Sequence, residues 1–268
     1  MKTARTCLAL VAALALAGTA SAQNFTEDFD GGNGPWNNNE ALRGTNGWTK
    51  GSSGQLWTTT GATGGFLGTR GATYGSFGAH AGLSLTQLGV TNPITSGTFT
   101  FYIMIDPTGI LGTPGGNNRS LQYGLTDLPE PAFPRDIEAG INSRSSDGVR
   151  IKYNGNHTDT SIPLDTMRWA EWEMSYNRST NVLSLAYRDV NDTDGSIPNP
   201  TFIAHTSSPV SGVAVDVQTI WLRGFRGNSP PNGVGRVDRI SSTPLPEPTA
   251  LGLMTIGGLM LLRRRRRA

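Results

Sequence analysis

The chain has 268 residues with 35 glycines and one cysteine, and 22 Lys+Arg against 20 Asp+Glu leave a net charge of +2. Seven cations and one acid lie in the two end segments, so residues 23–243 hold 15 against 19 and carry about −4. That balance excludes the clustered cationic surface needed for nucleic-acid binding, and with no cysteine in 23–243 the domain must fold without disulfides. About 220 residues suffice to bury a core of that kind.

The N-terminus reads as a secretory leader over residues 1–22. Lys2 and Arg5 supply the positive start, Cys7 to Gly18 the apolar stretch, and Ala20-Ser21-Ala22 a small-residue cleavage point before Gln23. Its apolar core is short for a membrane helix. The protein is therefore expected to be exported.

From Gln23 to Thr243 the sequence alternates short β-branched and aromatic runs with Gly, Asn, Thr and Ser turns. Phe25 to Phe29 opens the series, with Glu27 on the same inward face as Phe25 and Phe29. An inward carboxylate needs a partner. The stretch from Gly97 to Asp106 alternates at first and is then continuously apolar, as a central strand would be. Ser120–Leu125, Ile137–Asn142 and Gly148–Asn154 follow, and Thr219–Phe225 and Gly235–Ser241 close the body.

The clearest element is a hairpin from Arg168 to Tyr187 with its turn at Asn177–Asn181. Arg168, Ala170, Trp172, Met174 and Tyr176 share one face of its first arm; Trp169, Glu171, Glu173 and Ser175 share the other. No segment of the body keeps a helical period. Many short strands at this spacing predict an all-β antiparallel sandwich or jelly roll.

Catalytic and metal signatures are thin. His80, His157 and His205 lack metal-ligand spacing, and Gly109–Gly116 lacks the lysine of a phosphate loop. The run from Asp189 to Gly195 gathers oxygen ligands but reads better as an Asx-rich turn than as a calcium loop. Trp36, Trp48 and Trp57 sit in Gly/Asn-rich surroundings, where flat aromatic faces can stack on sugar rings beside amides such as Asn37 to Asn39. The competing reading places these tryptophans over the edges of the core.

The tail, residues 244–268, joins Pro246-Glu247-Pro248 to an apolar stretch from Thr249 to Leu262 and then to Arg263, Arg264, Arg265, Arg266 and Arg267. Clustered arginine stays on the cytoplasmic side, because carrying it through the hydrocarbon core is costly. Everything before the tail is then held outside. This arrangement resembles the PEP-CTERM sorting signal of exopolysaccharide-producing bacteria. The resemblance implies a membrane enzyme of exosortase type that recognises Pro246, Glu247 and Pro248 and processes the tail. It also makes Arg263–Arg267 the membrane stop and the inner membrane a transient partner. The apolar stretch is fourteen residues, short of the roughly twenty that span a bilayer as a helix. An ordinary C-terminal anchor is the alternative.

The hairpin, with the opening Glu27-Asp28-Phe29-Asp30-Gly31 and the closing Gly235 to Ile240, is similar to concanavalin A-like (laminin G-like) jelly rolls. The resemblance implies a β-sandwich over most of 23–243. Related jelly rolls can share a structural calcium between their terminal strands, which would fall to Glu27 and Asp238; pairing with Arg236, or a bulge that turns Glu27 outward, is the alternative. Retaining β-glucanases of this fold carry Glu-x-Asp-x-Glu on one strand. Here Asp136 and Glu138 match the second and third positions, but Pro134 stands where the nucleophile would be, and proline cannot attack an anomeric carbon.

These readings describe an exported, surface-sorted sandwich of the cell envelope or exopolysaccharide matrix. The expected role is non-catalytic carbohydrate binding, with extracellular polysaccharide as the partner. A purely structural matrix or adhesion protein is one alternative, and a divergent polysaccharide hydrolase or lyase is another.

Overall fold

The structure, a computed structural model, describes residues 24–30, 42, 46, 48–50, 57–60, 65–74, 79–90, 93–106, 119–129, 137–144, 148–153, 156–158, 169–191, 193–210, 212–225 and 235–245. The leader, Trp36, Pro134, Asp136 and everything from Pro246 onward lie outside them. In chain order the strands begin with β1 (Thr26–Glu27), β2 (Trp48–Lys50), β3 (Trp57–Thr59), β4 (Ala72–Tyr74) and β5 (Ala79–Ser84). Next come β6 (Thr98–Asp106), β7 (Arg119–Thr126), β8 (Ile137–Arg144), β9 (Gly148–Tyr153) and β10 (Asn156–Thr158). The series ends with β11 (Trp169–Asn177), β12 (Val182–Val190), β13 (Ile203–Pro209), β14 (Thr219–Phe225) and β15 (Arg236–Ser241).

Two antiparallel sheets result. Sheet 1 runs β13-β12-β11-β6-β15-β4-β3, with β1 added along β15, and sheet 2 runs β10-β9-β8-β7-β14-β5-β2. The all-β antiparallel sandwich expected from the sequence is what the chain forms. The hairpin is β11–β12, paired from Trp169↔Val190 to Asn177↔Val182. Its turn is closed by Thr180 N–H donating to Asn177 Oδ1 at 3.0 Å, with Asn181 at φ 54°, a left-handed conformation that asparagine tolerates. Tyr176 then ties the turn to the next layer: its hydroxyl bonds Asn181 Oδ1 at 2.8 Å and accepts the Val215 N–H at 2.9 Å.

The core follows from period two. On β6, Phe99, Phe101, Ile103 and Ile105 point inward and meet Ala170, Trp172, Met174 and Tyr176 of β11 in one buried cluster. Sheet 2 contributes Leu121, Tyr123, Leu125, Ile137, Ala139, Ile220 and Leu222 from the other side. Phe101 and Tyr123 cross the interface edge to face, with centroids 6.2 Å apart.

The continuously apolar half of β6 has its own cause. Met104 points out of the sandwich yet is buried, because a second cluster of Phe66, Trp169, Val190 and Ile197 lies over that part of sheet 1. Both faces of β6 are dry there.

Candidate functional site

Trp48 and Trp57 are core residues. Each is only 1% exposed, so neither presents a face to a sugar. Trp48 stacks on Phe29 at 5.9 Å and donates its indole N–H to Glu27 Oε2 at 3.2 Å. Trp57 packs on Tyr74 at 5.0 Å and donates to the Ala79 carbonyl at 3.1 Å. The binding platform expected from them is therefore corrected: a buried indole needs a partner for its N–H, and these two have one. Their glycine-rich context disguised two short strands, β2 and β3.

Glu27 does point inward, as its alternation with Phe25 and Phe29 requires, and it is fully buried. Its Oε1 accepts the Phe29 N–H at 3.0 Å while Oε2 takes Trp48. Phe29 stands at φ 55°, a rare conformation for a bulky residue, and this turn brings its N–H back onto Glu27. Asp238, its proposed co-ligand, accepts instead from the Phe66 N–H at 2.9 Å and from Thr69 Oγ1 at 3.2 Å. Register sets Glu27 opposite Ile240. The partner an inward carboxylate demands is supplied by protein donors, and among the described residues no group of three or more His, Cys, Asp or Glu is arranged to hold a metal. Burial, with Asp30 and Asp28 nearby, pushes the Asp238 carboxyl up to about 7.

The run after β12 behaves as an Asx turn. Asn191 Oδ1 accepts the Thr193 N–H and Asp194 Oδ1 the Ser196 N–H, both at 2.9 Å.

The arrangement that sequence reasoning missed lies on the outer face of sheet 2. Since Leu121, Tyr123, Ile137, Ile220, Leu222 and Ala81 face the core, alternation turns His80, Gln122, Glu138, Trp221 and Arg223 the other way. Register then assembles them. One row runs His80, Arg223, Gln122 across β5, β14 and β7, and the adjacent row runs Trp221, Gly124, Glu138 across β14, β7 and β8.

Glycine shapes this face. A Cβ at Gly124 would stand 1.7 Å from the Ile137 carbonyl oxygen and 2.8 Å from Trp221 Cε2, so only a residue without a side chain lets β8 and the indole come this close to β7. Arg223 Nη1 donates to Gln122 Oε1 at 2.9 Å, which orients both planar groups. Burial lowers the Arg223 guanidinium and the Glu138 carboxylate counteracts it. His80 is pushed down to about 4, by burial first and the Arg223 cation second, so it stands neutral at physiological pH.

The placement of these side chains is unusual. His80, Gln122, Glu138 and Trp221 are 4–8% exposed although they point away from the core, and Trp221 belongs to neither apolar cluster. Chemically the face gathers an indole, a fixed guanidinium–amide pair, a neutral imidazole and a carboxylate, with the indole nearly as buried as those of Trp48 and Trp57 but outside both apolar clusters. It extends over four neighbouring strands, about 14 Å at the usual spacing. The side chains of His157 and His205 lie outside the described residues.

No family model and no curated protein sequence matches the chain. Among solved structures it is similar to peanut lectin, at TM-score 0.44 and 10% identity over 81% of this chain and 95% of that one. It is also similar to winged bean acidic lectin complexed with methyl-α-D-galactose, at TM-score 0.40 and 14% identity over 82% and 96%. The receptor-binding domain of botulinum neurotoxin D gives TM-score 0.42 and 10% identity over 82% of this chain and 48% of that one. At these scores the site rests on this chain's own residues.

Proposed function

We propose that the protein is an exported, surface-sorted carbohydrate-binding sandwich of the bacterial envelope or exopolysaccharide matrix, and that it takes sugar on the outer face of sheet 2. The observation that carries this reading is the gathering of Trp221, Arg223, His80, Gln122 and Glu138 by four adjacent strands onto one face. Sugar rings stack on flat indoles through their C–H faces, while planar polar groups bond their hydroxyls.

Delivery to the surface rests on the leader at 1–22 and on the tail. In this reading an exosortase-type enzyme reads Pro246-Glu247-Pro248 while Thr249–Leu262 and Arg263–Arg267 hold the chain transiently at the inner membrane. A Glu247→Ala chain should fold normally and fail to be processed; unchanged processing would point to an ordinary anchor.

Binding is tested by glycan-array screening of the purified protein, followed by Trp221→Ala and Glu138→Gln on any glycan retained. Both changes should weaken retention at least about tenfold, the equivalent of roughly 1.4 kcal/mol. If the wild-type protein retains no glycan, a structural matrix role replaces this one. A hydrolase of the retaining type would need a second carboxylate about 5 Å from Glu138. Among the described residues of that face none joins it, and incubation with β-glucans should give no cleavage products.

A further inference from the structure

On sheet 1 the outer face of the hairpin carries a buried ion pair. Arg188 Nε and Nη2 lie 2.8 and 2.6 Å from Glu171 Oε2, and the two side chains are 3% and 1% exposed. Phe202 lies against the guanidinium, 4.5 Å from its ring centroid, and Arg188 Nη1 donates to the Pro200 carbonyl at 3.1 Å. Such pairs are costly to desolvate, and apolar residues of similar volume usually serve stability as well or better. The reason for keeping this one lies in what remains of its hydrogen-bonding capacity.

Each member of the pair makes one further hydrogen bond to the same residue. Glu171 Oε1 accepts the Leu245 N–H at 2.6 Å, and Arg188 Nη2 donates to the Leu245 carbonyl at 2.8 Å. The pair therefore grips a single residue through both of its backbone groups, as a neighbouring strand would. The Leu245 side chain packs on the cluster of Phe66, Met104, Trp169, Val190 and Ile197.

The sequence suits this grip. Leu245 lies between Pro244 and Pro246, neither of which has an N–H, so it offers the one backbone donor in that tripeptide. A following proline also biases Leu245 toward extended backbone, which lowers the entropy of docking.

We infer that the Glu171–Arg188 pair is a docking site for the chain's own segment Thr243–Leu245, and that this dock makes the folded domain present the adjoining Pro246-Glu247-Pro248 box to its processing enzyme. The presentation half rests on the sorting function proposed above; the dock itself does not. The recognised ligand is an extended peptide with a free N–H and carbonyl at one residue and proline on both sides. Processing is thereby tied to folding, since the hairpin that supplies Glu171 and Arg188 must form before Leu245 has anywhere to bind.

Amide hydrogen exchange on the full chain tests the dock directly. The Leu245 N–H should exchange at least about a hundredfold more slowly than in an unstructured peptide of residues 243–248. Exchange at the peptide rate overturns the inference. Glu171→Ala leaves a buried cation without its partner and is expected to disturb the body, so Leu245→Pro, which deletes the donor and leaves the pair in place, is the decisive variant. It should lower the thermal transition of the body far less than Glu171→Ala does, speed proteinase K cleavage before the box about tenfold, and lower processing in the native host. Normal processing of Leu245→Pro overturns the presentation half. If Glu247→Ala is also processed normally, the sorting reading has failed and presentation falls with it, whereas slow Leu245 exchange still upholds the dock.

Discussion

The two outer faces of the sandwich follow one alternation rule and reach opposite ends. On sheet 1 the outward residues Met104, Trp169, Glu171, Arg188 and Val190 are covered by the chain itself, through Phe66, Ile197, Phe202 and Leu245. On sheet 2 the outward residues His80, Gln122, Glu138 and Trp221 are buried as well, but they are polar around one indole and neither apolar cluster extends over them. An outward strand position thus serves as a structural dock on sheet 1 and, in the function proposed above, as a ligand site on sheet 2.

The strongest way to break that contrast is to treat the two faces alike by removing one carboxylate from each. Glu171→Ala should cost about 3–5 kcal/mol of stability by stranding the Arg188 charge, read as a fall in the denaturation midpoint. Replacing both partners by leucine should restore most of it, because a dry pair can be exchanged for packing. Trp57→Ala, inside the core, should cost a similar 3–5 kcal/mol and serves as the reference for burial. On sheet 2, Glu138→Gln should move stability by less than about 1 kcal/mol while lowering glycan retention, since it keeps the shape of the side chain. Equal stability losses in Glu138→Gln and Glu171→Ala would erase the distinction between the faces.

A subtler separation comes from pH. Asp238, beside the covered face, has a folded-state value near 7 against an ordinary 3.8, so its contribution is complete below about pH 3.8 and is lost as pH rises to about 7. His80, on the polar face, is held near 4 against 6.5; its contribution is complete above about pH 6.5 and is lost as pH falls toward 4. The two slopes, each up to about 1.4 kcal/mol per pH unit, oppose one another across the same interval. In the wild-type protein these two contributions should largely offset one another there. Asp238→Asn should melt higher than wild type at pH 8 and like it near pH 4, whereas His80→Asn should gain relative stability only below about pH 6. Parallel pH profiles for all three proteins would remove the assignment of these groups.

Sequence legibility tracked how local each cause is. The β11–β12 hairpin was readable because its alternation, its turn and its pairing all fall within one short stretch. β5 was not, since Ala79-His80-Ala81-Gly82-Leu83-Ser84 contains no β-branched or aromatic residue and owes its strand state to pairing with β14. Trp48 and Trp57 leave two readings open in the sequence for the same reason: strands of three residues in glycine-rich context look like loops until their partners are known. The outward parity of Trp221 and Arg223 could be read from Ile220 and Leu222, but the rows that join them to Gln122 and His80 depend on register across distant segments. Glu171 reads as a solvent-facing charge on an alternating strand, and what buries it includes a residue 74 positions away.

One detail of β15 governs the whole C-terminal exit. Against β6 its register slips between Val237, opposite Ile105, and Ile240, opposite Ile103, so three steps on one strand match two on the other. Val237 and Ile240, of opposite parity, can then both face the core. The extra residue works as a phase shifter for everything downstream. Removing one residue at 238–239 would flip the parity of the rest of β15, sending Ile240 outward and shortening the path from the strand to Leu245 by one residue. The inward side of Ile240 is thus written in a single inserted residue upstream of it.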